Sequence, residues 1–256
     1  RAAYLGDFAT LLVTSGFPAE AQRLYQLITR QDGARGARDH YNQAKSAAQQ
    51  GQTQQAMESY RAAVRLDPDY GEALTGLGAL LLLQKQPEEA RGYFEKALAI
   101  DPNHATALIN LAMIDQQRGE TESALARLRQ VIARNPDYAE AHLNLGSLLA
   151  SLKKPDEAIP HLSKAAELKP NLVAAQLNLA AAYGETRQWE KAESLYTRLI
   201  ALHPRLGHAH TGLGIVQARL GKHADAVTSF RAAIPLGSAN PHTYTQLGLS
   251  LAALGE

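Results

Sequence analysis

The chain has 256 residues, with 26 Lys and Arg against 25 Asp and Glu and no cysteine. A formal charge of +1 without any basic block excludes a polycationic nucleic-acid binder, and the lack of thiols excludes disulfides, thiolate metal sites and a cysteine nucleophile. The longest aliphatic run, Ala79 to Leu83, falls far short of the roughly 18 apolar residues of a membrane helix, so no membrane insertion is expected; the compartment stays open.

Arg1 rather than Met opens the chain, which leaves room for an upstream segment. Leu5, Phe8, Ala9, Leu12, Gly16, Ala21 and Tyr25 outline a degenerate helix pair over residues 2–36, with an irregular junction from Gln31 to Gly36. From Ala37 onward a regular unit takes over. Pro68, Pro102, Pro136, Pro170 and Pro204 follow one another at intervals of 34 residues, and units run over 37–70, 71–104, 105–138, 139–172, 173–206 and 207–240. A further first helix is expected over 241–256.

Within a unit, positions 4, 7, 8 and 11 share one helical face (Leu74, Leu77, Gly78, Leu81), and positions 20, 24 and 27 share another (Ala90, Phe94, Ala97). Glycine or alanine at position 8 and alanine at position 20 allow two backbones to approach, with a bulky residue at 24 filling the gap. Position 15 predicts a left-handed residue ending each first helix: Gly51, Gly119 and Gly221, with Lys85, Lys153 and Arg187 in the same place elsewhere. Pro87 and Pro155 fit the first turn of a second helix, and the proline at position 32 ends it. Two prolines depart from this plan. Pro160 is expected to bend its helix slightly, and Pro235 to stop the helix near Ala233, leaving 235–240 as a reshaped turn.

These columns resemble the tetratricopeptide repeat family. The resemblance implies an all-α fold, a right-handed superhelical solenoid of stacked antiparallel helix pairs, with first helices lining a concave groove. Leu247, Leu249, Leu251 and Leu254 give the last helix an apolar face where solenoids usually carry a polar cap. The stack is therefore expected to continue in a longer protein or to self-associate through its ends.

Chemistry within the repeats is sparse. Leu-Gly pairs such as Leu213-Gly214 are packing rather than phosphate loops, and Glu88-Glu89 and Asp156-Glu157 suit helix N-termini. Nine histidines show no ligand spacing completed by a carboxylate or thiol, so no metal, cofactor or catalytic centre is expected, and the chain is read as a non-enzyme. His40, His142 and His210, at position 4, are expected to be semi-buried and hydrogen-bonded.

The informative column is position 6, with Asn42, Gly76, Asn110, Asn144, Asn178, Gly212 and Gln246. A carboxamide both donates and accepts, so it can pair with the N–H and C=O of any extended peptide. The column is similar to the asparagines lining the groove of the O-linked N-acetylglucosamine transferase family, which hold substrate backbone. It serves equally as a seam residue bonding to a neighbouring helix. The peptide-binding set is therefore Asn110, Asn144, Asn178 and Asn42, with Ile109, Met113, Leu143 and Leu177 as apolar contacts. Family members with a dicarboxylate clamp need Lys at position 5 and Asn at position 9. Position 5 here holds residues such as Thr75, Leu143 and Leu177, so that clamp is missing. The expected function is a scaffold that binds a protein or peptide segment in the groove. The alternatives are the substrate-recognition arm of a larger enzyme and a self-associating array.

Overall fold

The computed structural model describes residues 2–32, 36–238 and 240–255, and every regular element among them is helical. The α-helices are α1 (Ala2–Thr14), α2 (Pro18–Asp32), α3 (Ala37–Gln49), α4 (Thr53–Leu66), α5 (Gly71–Leu83), α6 (Pro87–Ile100), α7 (Ala105–Gln117), α8 (Thr121–Arg134), α9 (Ala139–Ser151), α10 (Pro155–Leu168), α11 (Val173–Glu185), α12 (Trp189–Leu202), α13 (Gly207–Arg219), α14 (His223–Ala233) and α15 (Pro241–Leu254).

In the 34-residue units the same turn joins first to second helix six times, and Gly16, with φ of 86°, makes it once more between α1 and α2. Its middle residue is left-handed, with φ of 73°, 79° and 75° at Gly51, Gly119 and Gly221, and of 60°, 63° and 61° at Lys85, Lys153 and Arg187. The next N–H reaches back five residues, from Gln86 to the Leu81 carbonyl at 2.9 Å and from Gln188 to that of Tyr183 at 2.8 Å, which is the Schellman closure. At the junctions before Pro68, Pro102 and Pro136, the residue before proline folds its side chain over the turn. Asp101 Oδ1 accepts from the Asn103 N–H at 2.9 Å, and Asn135 Oδ1 from that of Asp137 at 3.2 Å. α10 runs through Pro160 uninterrupted. α14 stops at Ala233, and a 3-10 turn over Ile234–Leu236 leads to left-handed Gly237, as Pro235 predicts.

Contacts divide the chain into two compact units, Arg1–Gln130 and Val131–Glu256. In the first, Ala56, Tyr60, Leu74, Leu77, Ala90 and Phe94 belong to one continuous core, and Ala9, Ala21 and Tyr25 form a smaller one. The second unit repeats the motif. Cβ atoms added to Gly146 and Gly214 would lie 2.6 Å from Leu162 and 2.7 Å from the Phe230 ring, as one on Gly78 would lie 2.8 Å from Phe94 in the first unit. Position 20 is fully buried throughout: Ala56, Ala90, Ala124, Ala158, Ala192 and Ala226 are 0% exposed. A second alanine column at position 3 (Ala73, Ala107, Ala141, Ala175, Ala209) is just as buried and escaped the sequence reading.

Each unit contains buried polar contacts that fasten its helices. In the first, Asp115 takes position 11, usually apolar, and is 0% exposed. Its Oδ2 accepts from Arg127 Nε at 2.7 Å and Ser123 Oγ at 2.6 Å, while Arg91 Nη1 faces Oδ1 at 3.9 Å. A carboxylate can be held this deep only by such donors. In the second unit, position 4 bonds to the preceding proline carbonyl: His142 Nε2 to Pro136 at 2.9 Å, Gln176 Nε2 to Pro170 at 2.5 Å and His210 Nε2 to Pro204 at 3.0 Å. A carbonyl only accepts, so His142 carries a proton on Nε2, and its Nδ1 shares a hydrogen bond with His161 Nδ1 at 3.0 Å. In the first unit this position holds His40, half-buried, and Leu74 and Leu108, both buried.

Candidate peptide-binding face

Position 6 lies on the first helices, one turn from the leucine and glycine that pack inward, so its side chains sit at the edge of the packed surface. All four asparagines are half-buried, and their partners differ. Asn42 Nδ2 donates to Thr10 Oγ1 at 3.2 Å, and Asn178 Nδ2 to Ser147 Oγ at 2.8 Å. Both therefore use one amide proton on the neighbouring first helix. Asn110 Nδ2 donates to the Thr106 carbonyl of its own helix at 2.8 Å. Asn144 has no hydrogen-bond partner among the described residues, so its whole carboxamide is available. The oxygens of Asn110 and Asn178 likewise accept nothing from the described protein. The apolar members are uneven. Met113 is 42% exposed, Leu143 and Leu177 are half-buried, and Ile109 is only 8% exposed, which leaves it little surface to offer.

The glycines that interrupt the column have a structural cause. A Cβ on Gly76 would stand 2.5 Å from the Tyr60 ring, and one on Gly212 would stand 2.4 Å from that of Tyr196. Each tyrosine is position 24 of the preceding repeat, and its phenol occupies the space that asparagine fills elsewhere. Burial drives both hydroxyls well above the usual tyrosine range, Tyr196 to about 12 with a smaller push from Glu185. Around Tyr60 the remaining space is filled by Tyr41, whose ring centroid lies 5.9 Å from that of Tyr60 and 5.1 Å from that of Tyr70.

Around Tyr196 it stays open. A cleft of about 580 Å³ lies between α11 and α13, lined by Gly184, Trp189, Tyr196, Gly212 and Ile215, with Glu185, Arg187 and Arg219 among its walls. An equivalent cleft of about 400 Å³ in the first unit lies between α5 and α7. There the same repeat positions carry Leu83, Lys85, Pro87, Met113 and Gln117 in place of Glu185, Arg187, Trp189, Ile215 and Arg219. One geometry thus gives an apolar cleft in one unit and a charged one in the other. The sequence reading missed both, because each combines the end of one first helix with the middle of the next. Among the described residues no three His, Asp or Glu side chains gather as a metal set, and no helix is long and apolar enough to cross a membrane.

Comparison with known proteins follows the same lines. One tetratricopeptide repeat model matches residues 41–105 and 177–241, a second matches 81–152 and a third 137–204. No curated protein sequence matches the chain. Among solved structures, it resembles a chain of the APC/C hetero-tetramer Cut9–Hcn1 (TM-score 0.80, 16% identity), covering 94% of this chain but 47% of that one. It also resembles Pseudomonas aeruginosa PilF (TM-score 0.72, 20% identity, 84% and 96% covered) and a tetratricopeptide repeat protein from Parabacteroides merdae (TM-score 0.68, 17% identity, 98% and 98% covered). At these identities the neighbours carry the fold alone. With the repeat models matched from residue 41 to 241, the chain belongs to the tetratricopeptide repeat family.

Proposed function

We propose that this repeat array is a protein-interaction scaffold whose first-helix face binds an extended segment of another polypeptide, without a catalytic step of its own. The observation that carries the reading is Asn144, a half-buried carboxamide with no protein partner. It is flanked by Leu143 on its own helix, and Asn178 and Leu177 hold the same positions one repeat later. An amide held in place by packing, with donor and acceptor both open, pairs with peptide backbone irrespective of side chains. Asn110, beside Met113 on α7, offers its oxygen in the same way in the first unit. Similar folds point in this direction: YrrB, described as a tetratricopeptide repeat protein with an unusual peptide-binding site, matches with TM-score 0.52 and 23% identity.

The test is selection of a displayed random-peptide library on the intact chain, followed by affinity measurement on the Asn144→Ala/Asn178→Ala variant. Each lost hydrogen bond is worth about 0.5–1.5 kcal/mol, so the pair should cost roughly 10-fold in Kd, with melting lowered only by loss of the Asn178–Ser147 bond. Equal affinity for both proteins would make the column a packing seam.

A further inference from the structure

The charged cleft between α11 and α13 has features that repeat packing does not require. Tyr196 is 5% exposed, and its hydroxyl, which lies against Gly212 in the cleft, has no hydrogen-bond partner among the described residues. The hydroxyl of Tyr60, the counterpart over Gly76, also has no hydrogen-bond partner among the described residues, but there Tyr41 fills the space beside it. The Tyr25 hydroxyl pairs with Thr10 Oγ1 at 2.9 Å. Arg187 and Arg219 line the same cleft and form no ion pair with any described residue, in a chain where Arg91, Arg118 and Arg127 all do. A phenol that stays protonated offers a proton, and guanidinium groups only donate. Three donor groups therefore share a cleft whose single anionic group, Glu185, meets neither arginine within ion-pair distance. Ile215 and the indole of Trp189 supply apolar wall.

We propose that this cleft is the subsite for one acidic side chain, a glutamate or aspartate of the bound segment, whose carboxylate meets the Tyr196 hydroxyl and the Arg187 and Arg219 guanidiniums. This rests on the reading of the first-helix face as a peptide-binding surface and adds the chemistry of one bound residue. A singly charged carboxylate fits better than a phosphorylated side chain, because a second negative charge would face Glu185. The equivalent first-unit cleft, with Leu83 and Met113, has no such demand, so the preference belongs to one place in the array.

Trp189 is the only tryptophan in the chain, so its fluorescence reports on this cleft directly. Acetyl-hexaglutamate amide and acetyl-hexaglutamine amide are titrated against the whole chain with excitation of Trp189. The expected result is a saturable emission change with the glutamate peptide and at least 10-fold weaker binding of the glutamine peptide. Arg187→Gly/Arg219→Gln should weaken glutamate binding at least 10-fold and Tyr196→Phe a few-fold. Glu185→Gln should strengthen it. Arg187→Gly also relieves a left-handed residue, and thermal melting of every variant confirms that it folds. The proposal is overturned if both peptides bind alike, if neither changes Trp189 emission, or if the arginine variant binds unchanged. The Asn144→Ala/Asn178→Ala protein separates this from failure of the wider reading. Binding lost there but kept in the arginine variant leaves the groove and removes the subsite. Binding kept there but lost in the arginine variant leaves an acid-binding cleft without backbone anchors.

Discussion

Lys153 holds a conformation that glycine holds in four of the seven described repeat turns, with φ of 63° and an exposed side chain in no ion pair. A left-handed residue with a Cβ costs about 1–2 kcal/mol, and glycine gives back roughly 0.5–1 in chain entropy. Lys153→Gly should therefore raise unfolding stability by about 0.5–1 kcal/mol, read by urea denaturation. This position was legible in the sequence because glycine occupies it elsewhere. The buried tyrosines give a second prediction. Their folded pKa lies above the unfolded value near 10, so their contribution is complete below pH 10 and declines as pH rises toward 12. The slope reaches about 1.4 kcal/mol per pH unit for each tyrosine. Tyr60→Phe/Tyr196→Phe should flatten the alkaline fall in melting temperature. The glycine interruptions of the asparagine column were visible as letters, but their cause was not. It lies at position 24 of the preceding repeat, and columns aligned within a repeat do not display a contact made across its boundary.

At the scale of the helix, two mid-helix glycines behave oppositely. Gly146 on α9 has no room for a methyl group, since a Cβ would stand 2.6 Å from Leu162 and 3.3 Å from the Ala158 carbonyl. Gly92, within α6, meets nothing within 4 Å. Gly146→Ala should cost about 1–3 kcal/mol through overpacking, whereas Gly92→Ala should gain about 0.5–1 through helix propensity. Thermal or chemical denaturation of both variants decides it. The helix ends and the early stop before Pro235 were legible because they depend on local backbone chemistry. The two clefts were not, because their residues come together only once α5 meets α7 and α11 meets α13. Asp115 occupies a usually apolar position, and that mismatch was the available signal for its buried lock with Arg127 and Ser123.

Over the whole chain, stability in a repeat protein is close to a sum over neighbouring contacts. α15 has fewer of them. Gly248 meets nothing where Gly78, Gly146 and Gly214 each face a bulky side chain, and Tyr244 and Leu249 are exposed. Its amides should exchange hydrogen before those of α13, as mass-resolved exchange on the intact chain would record; equal protection would mean that α15 is held by more than α14. The division near Gln130 has no counterpart in the sequence, since the 34-residue spacing passes through it unchanged.

The fit of Tyr60 over Gly76, and of Tyr196 over Gly212, also sets what can be exchanged when such an array is shortened, extended or recombined. A repeat cut at its own first residue carries the glycine away from the tyrosine that needs it. Set behind a donor with leucine, that glycine leaves a hole. Set before asparagine, the tyrosine meets a carboxamide in its place. The portable piece is a second helix with the first helix that follows, as in 53–83 and 189–219, so the grammar of the array is offset by half a unit from the period in which it is written.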